Sequence, residues 1–112
     1  MTLKEIQKDV DEWVNQYKVG YFAPMEMMAR LAEESGEVAR ELNHLHGPKK
    51  KKEDEDTEGL SSELGDILFT ICAMANTHDI DLETVWKGVM DKCYGRDADR
   101  WEKKNDKKLS EF

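Results

Sequence analysis

Five acids occupy positions where a helical protein would ordinarily place something else. Glu33, Glu34 and Glu37 fall inside one apolar-periodic stretch, and Glu63 and Asp66 open the most hydrophobic stretch of the chain. Glu34 and Glu37 are three residues apart, as are Glu63 and Asp66, so on helices each pair projects from one face. Arg30 lies four residues before Glu34. Like-charged pairs of this kind, one of them on a helix apolar enough to be buried, destabilise a fold unless something neutralises them. A divalent metal does so most directly. Mg²⁺ and Mn²⁺ prefer hard oxygen donors in octahedral array, and two helices offering a carboxylate pair each can surround one side of an ion, leaving positions for water and phosphate oxygens. Gly36 and Gly65 sit inside the two motifs, where glycine is locally costly for a helix. The expectation is that they let the two helices approach closely.

The elements that must position these acids are helical. Of 112 residues, 38% are hydrophobic and 38% charged, with 7 glycines and 2 prolines. So few turn residues exclude a many-stranded sandwich or barrel, and the length allows one domain, residues 1–112. A first helix is expected from Leu3 to Tyr17, opened by a Thr2/Glu5 capping box. Leu3, Ile6, Val10, Trp13, Val14 and Tyr17 form its apolar stripe. After Gly20, Pro24 suits a first helical turn, and a second helix over Met25–Leu45 places Met28, Leu31, Ser35, Val38, Ala39, Leu42 and Leu45 on one side. Gly47 and Pro48 stop it. A charged linker, 47–58, carries KKKKEDED and has nothing to bury. A third helix, Leu60–Thr77, is apolar nearly all round, as for the central element of a bundle or a dimer core. Asp81 caps a fourth, whose stripe is Leu82, Val85, Trp86, Val89, Met90 and Cys93; Gly95 ends it, and residues 102–112 form a charged tail. The fold class is all-α, a four-helix bundle-like domain.

The balance of 17 Lys and Arg against 25 Asp and Glu gives −8, which disfavours broad nucleic-acid or anionic-membrane binding. The longest apolar run, Ile67–Ala75, is interrupted by Thr70 and is too short to span a bilayer. MTLKEIQKDV has no signal-peptide core, and Cys72 and Cys93 read as small reduced apolar residues, so a cytoplasmic location is expected. His44 and His46 have the wrong spacing for two ligands on one helix face and suit a helix C-terminus instead. No G-x-x-x-x-G-K-[ST] loop occurs, which disfavours a P-loop ATPase. Trp13 and Trp86 are placed in the core by their stripes, and the methionines fill core gaps.

The pattern E-E-x-x-E on one helix and E-x-x-D on the next resembles the MazG-type nucleotide pyrophosphohydrolases of the all-α NTP pyrophosphatase superfamily. The stretches MARLAEESGEVARELNH, ELGDILFTICAMAN and RDADRW resemble its short single-domain members, so that the likeness covers Leu3 to about Trp101. It implies metal-dependent hydrolysis of a nucleoside triphosphate to monophosphate and pyrophosphate. Glu34, Glu37, Glu63 and Asp66 match the family's Mg²⁺ ligands, with Mn²⁺ an alternative ion. Glu33, about 100° around the helix from Glu34, matches the family's extra acid, a candidate for a second metal or for orienting the attacking water, whose proton such a carboxylate could accept. Lys92, Arg96 and Arg100 are cations for a triphosphate, against the plainer reading of a surface charge mixture with Asp97 and Asp99. Asn76 is a further substrate candidate, but it lies roughly 15 Å beyond Asp66 along a straight axis and reaches a nucleotide only from a bend or a neighbouring subunit. A homo-oligomer, dimer or tetramer, is implied as well. The competing readings are a phosphoribosyl-ATP or dUTP/dCTP-preferring relative, and a non-catalytic acidic module that presents its charge to a basic partner. The mimic needs its acids exposed, whereas the enzyme needs them between helices.

Overall fold

The computed structural model describes residues 1–48 and 59–104, so most of the expected linker and tail lies outside the described residues. Four helices occur in the order α1 (Leu3–Val14), α2 (Pro24–His46), α3 (Leu60–Thr77) and α4 (Leu82–Tyr94). The described residues contain no strand, and the all-α expectation holds. The chain divides into two compact units, Met1–Leu82 and Glu83–Phe112.

Local chemistry accounts for most boundaries. The Thr2 hydroxyl accepts from the Glu5 amide at 3.1 Å and donates to the Glu5 carboxylate at 3.1 Å, so the cap forms with the acid folded onto the hydroxyl. α1 stops one turn earlier than its apolar spacing predicts. Beyond Val14 the chain tightens into successive three-residue turns, Gln16 to Trp13, Tyr17 to Val14 and Gly20 to Tyr17, and Gly20 takes a φ of 61° that favours glycine. Pro24 opens α2, where its missing amide costs nothing.

In the first unit both α1 and α2 pack on α3, which is central as its composition requires. The core is small: Val10 and Val14 of α1, Met27 of α2, and Cys72 and Ala73 of α3, with Ile6, Tyr21, Met74 and Leu82 packed against it. Burial pushes the Cys72 thiol pKa up, as expected for a small apolar residue. Cys93 is exposed, and so are Met25 and Met28, contrary to the core role expected of them.

A hydrogen-bonded knot fastens α1 to the end of α3. Gln7 Nε2 donates to Asn76 Oδ1 at 3.0 Å and to the Ile80 carbonyl at 2.8 Å, while its Oε1 accepts from the Leu82 amide at 2.9 Å. Asn76 Nδ2 donates to the Gln7 carbonyl at 2.9 Å and to the Tyr21 hydroxyl at 3.0 Å. The Tyr21 hydroxyl donates in turn to Asp11 at 2.7 Å.

The largest departure from expectation concerns α2. Its buried residues are Met27, Glu34, Glu41 and His44, whereas Met28, Leu42 and Leu45 of the predicted apolar stripe are exposed. The helix therefore turns a mixed stripe inward, Met27 with Glu34, Glu41 and His44, keeps Leu31 and Val38 half-buried, and leaves Met28, Leu42 and Leu45 uncovered in the single chain.

Candidate active site

Thr70 decides which faces of α2 and α3 meet. Its hydroxyl donates to Glu34 Oε1 at 2.6 Å, and both residues are buried. A short bond to a carboxylate in a water-poor contact is stronger than a neutral one. On α3, Glu63, Asp66 and Thr70 follow at spacings of three and four, so the bond fixes their common stripe toward α2. Glu63 is buried at 8% exposure, as is Glu34 at 8%. Glu37 and Asp66 are exposed, and so is Glu33. The buried member of each acidic pair is thus held at the helix contact while its partner, one turn on, meets solvent.

The two helices run antiparallel. Met27 shares the core with Ala73, and Glu34 meets Thr70 seven residues further along α2 and three residues back along α3. That register carries Glu41, also buried, toward the turn of α3 that holds Glu63. Sequence alone does not single out Glu41 or Thr70 as site residues. Glu41 repeats Glu34 at seven residues, and Thr70 is the one polar break in Ile67–Ala75, four residues after Asp66.

The donor set suits a hard divalent cation, being carboxylate oxygen throughout. Among the described residues, no three His, Cys, Asp or Glu side chains are grouped closely enough to hold a metal ion. Gly36 and Gly65 do not serve close approach either. A Cβ built on each meets nothing within 4 Å.

The substrate candidates separate. Asn76 is committed, since both amide hydrogens and its carbonyl oxygen are spent on Gln7 and Tyr21. It ties α1 to α3 and has no donor left for a nucleotide. Lys92, Arg96 and Arg100 belong to the second unit and are exposed. There Arg96 Nε lies 3.3 Å from Asp97, and the Arg100 guanidinium lies 5.0 Å from the centre of the Trp101 ring.

Beside Thr70 the first unit forms a half-open hollow of about 440 Å³, lined by Trp13, Phe22, Met27, Arg30, Phe69 and Ala73 as well as Thr70 itself. Trp13 is a wall of this hollow, 53% exposed, and not the core residue its stripe predicts. Trp86 likewise stays 57% exposed.

The sequence pattern of the MazG nucleotide pyrophosphohydrolase domain matches residues 22–101. The chain belongs to the MazG nucleotide pyrophosphohydrolase family. It is 50% identical over 107 residues to the YpjD protein of Bacillus subtilis (strain 168), with 96% of each chain covered. A crystal structure of B. subtilis YPJD matches at TM-score 0.73 and 50% identity, over 82% of this chain and 94% of that one. The Bacillus-conserved MazG protein, a nucleotide pyrophosphohydrolase, matches at TM-score 0.71 and 48% identity, over 82% of this chain and 88% of that one. As a MazG-family enzyme, this chain is a nucleotide pyrophosphohydrolase with a MazG-like fold, and its family typically uses a divalent metal. No helix among the described residues is long and apolar enough to cross a membrane.

Proposed function

We propose that this MazG-family enzyme hydrolyses nucleoside or deoxynucleoside triphosphates between the α and β phosphates, releasing monophosphate and pyrophosphate. Glu34, Glu37, Glu63 and Asp66 would hold Mg²⁺, or Mn²⁺ in its place. The ion, when bound, supplies positive charge that screens the phosphate oxygens and eases departure of pyrophosphate. Glu33 accepts a proton from the attacking water as its oxygen bonds to the α phosphorus; the bond from that phosphorus to the bridging oxygen breaks, and the electron pair leaves with pyrophosphate. Glu33 is four residues before Glu37, so the two share a side of α2 that is open to solvent. Thr70 holds the Glu34 carboxylate in one orientation by Oε1, leaving Oε2 as a donor.

The observation that carries this reading is the burial of Glu34 and Glu63 at the contact of two packed helices. An acidic module that mimics nucleic acid would gain nothing from acids hidden there. Exposed apolar side chains on α2 (Met28, Leu42, Leu45) and α3 (Leu64, Leu68, Ile71) support a homo-oligomer, dimer or tetramer.

Conservative removal of one proposed ligand tests the site. Glu37→Gln and Asp66→Asn should each lower pyrophosphate release by at least a hundredfold with unchanged helicity by circular dichroism. Activity within a fewfold of the parent in both variants would remove these acids from the metal site.

A further inference from the structure

The hollow beside Thr70 and the carboxylate site share a wall. Thr70 bounds the hollow and donates to Glu34, and Arg30, also on the hollow, lies one helical turn before Glu34 on α2. A molecule with its phosphates at the carboxylates therefore has its other end within reach of this space. At about 440 Å³ the hollow falls within the usual size of small-molecule sites.

Its lining favours a flat, aromatic occupant. Trp13 and Phe69 meet edge to face at 5.8 Å and 82°, forming a right-angled corner of rings, and Phe22 adds a third ring whose centre lies 5.5 Å from the Arg30 guanidinium carbon. Polar groups are few. The Thr70 hydroxyl proton is spent on Glu34, so this oxygen can only accept. Arg30 offers donors and no acceptor, and a guanidinium engaged over a ring keeps its N–H edge for hydrogen bonding. The hollow thus has stacking surface for any base, and its one strong polar element only donates, so it matches a carbonyl oxygen and not an amino group at purine C6 or pyrimidine C4.

We propose that this hollow seats the nucleotide's base among Trp13, Phe22 and Phe69, and that Arg30 favours guanine, thymine and uracil over adenine and cytosine. The last two carry an amino group where the others carry a carbonyl. The proposal rests on the nucleotide reading above, and its test is made independent of turnover.

Trp13 is one of 3 tryptophans, so a Trp86→Phe, Trp101→Phe double variant leaves it as the sole tryptophan reporter. That variant is titrated with dGMP, dTMP, dAMP, dCMP and inorganic phosphate in EDTA, while pyrophosphate release by the parent enzyme is measured in parallel. The expected result is a saturable fluorescence change, with dGMP and dTMP binding several-fold more tightly than dAMP and dCMP, and no response to inorganic phosphate. Phe22→Ala should weaken all four nucleotides about tenfold, the effect of losing a stacking partner. Arg30→Met should keep binding and abolish the preference. No saturable change with any nucleotide, or the same change with inorganic phosphate, overturns the base site. Equal affinities in the double variant, with uniform weakening when Arg30→Met is added to it, overturn the carbonyl preference and assign Arg30 to phosphate. Fluorescence change without pyrophosphate release would sink the proposed reaction and keep the pocket; release without fluorescence change would sink the pocket alone.

Discussion

Thr70 and Glu34 are the residues on which the helix contact turns. Replacing Thr70 with valine keeps the shape and removes the one donor shown for a buried carboxylate, which costs about 1–3 kcal/mol. Because the same oxygen orients a proposed ligand, Thr70→Val should also weaken Mn²⁺ binding by about 10- to 100-fold. Denaturant unfolding checks the first and calorimetric titration the second, and unchanged Mn²⁺ affinity at reduced stability would make Thr70 a packing residue alone. Tyr21 provides a second, independent test. Burial, first, and its bond to Asp11 push its pKa from 10.0 up to about 12, against a smaller opposite effect of Asn76. The fold therefore favours the neutral phenol, and this contribution to stability is complete below pH 10 and lost as pH rises through 12. Ultraviolet titration at alkaline pH should show one of the 3 tyrosines ionising late, and Tyr21→Phe should remove both that step and the associated loss of stability.

At the scale of elements, helix existence was legible and helix facing was not. Pro24, Gly47 and the Thr2 cap set boundaries by local chemistry, which a sequence displays. The burial of α2 follows from its partner: Glu34 is accepted into the contact because Thr70 awaits it on α3, and no property of α2 alone announces that. The engagement of Asn76 is illegible for the same reason, since its bond with Gln7 joins residues 69 positions apart. The acids at Glu34, Glu37, Glu63 and Asp66 were legible by spacing, but which of each pair is buried was not. Gly36 and Gly65 belong here too. With open space around both, Gly36→Ala and Gly65→Ala should each stabilise the chain by roughly 0.5–1 kcal/mol through helix propensity. Thermal melts should rise by a few degrees. A fall instead would mean that a second chain or a ligand fills the space a methyl group would take.

For the whole molecule, a small core and many uncovered apolar side chains stand together. Among the described residues the one side chain fully withdrawn from solvent is a small one, Cys72, while Leu45 and Leu64 remain more than half exposed. A chain of 112 residues with so much uncovered apolar surface should associate with itself, giving a dimer or tetramer by analytical ultracentrifugation at micromolar concentration. A monomer there would contradict the oligomer. The net charge of −8 fits the same account: four of the acids are proposed as metal ligands, and as ligands that part of the charge would serve the reaction. The most direct test is to incubate the purified chain with a panel of nucleoside and deoxynucleoside triphosphates in Mg²⁺, in Mn²⁺ and in EDTA, and to measure pyrophosphate and monophosphate together. Equal amounts of the two with either metal, and none in EDTA, is the predicted result. Release of orthophosphate and nucleoside diphosphate, or turnover that persists in EDTA, would contradict it.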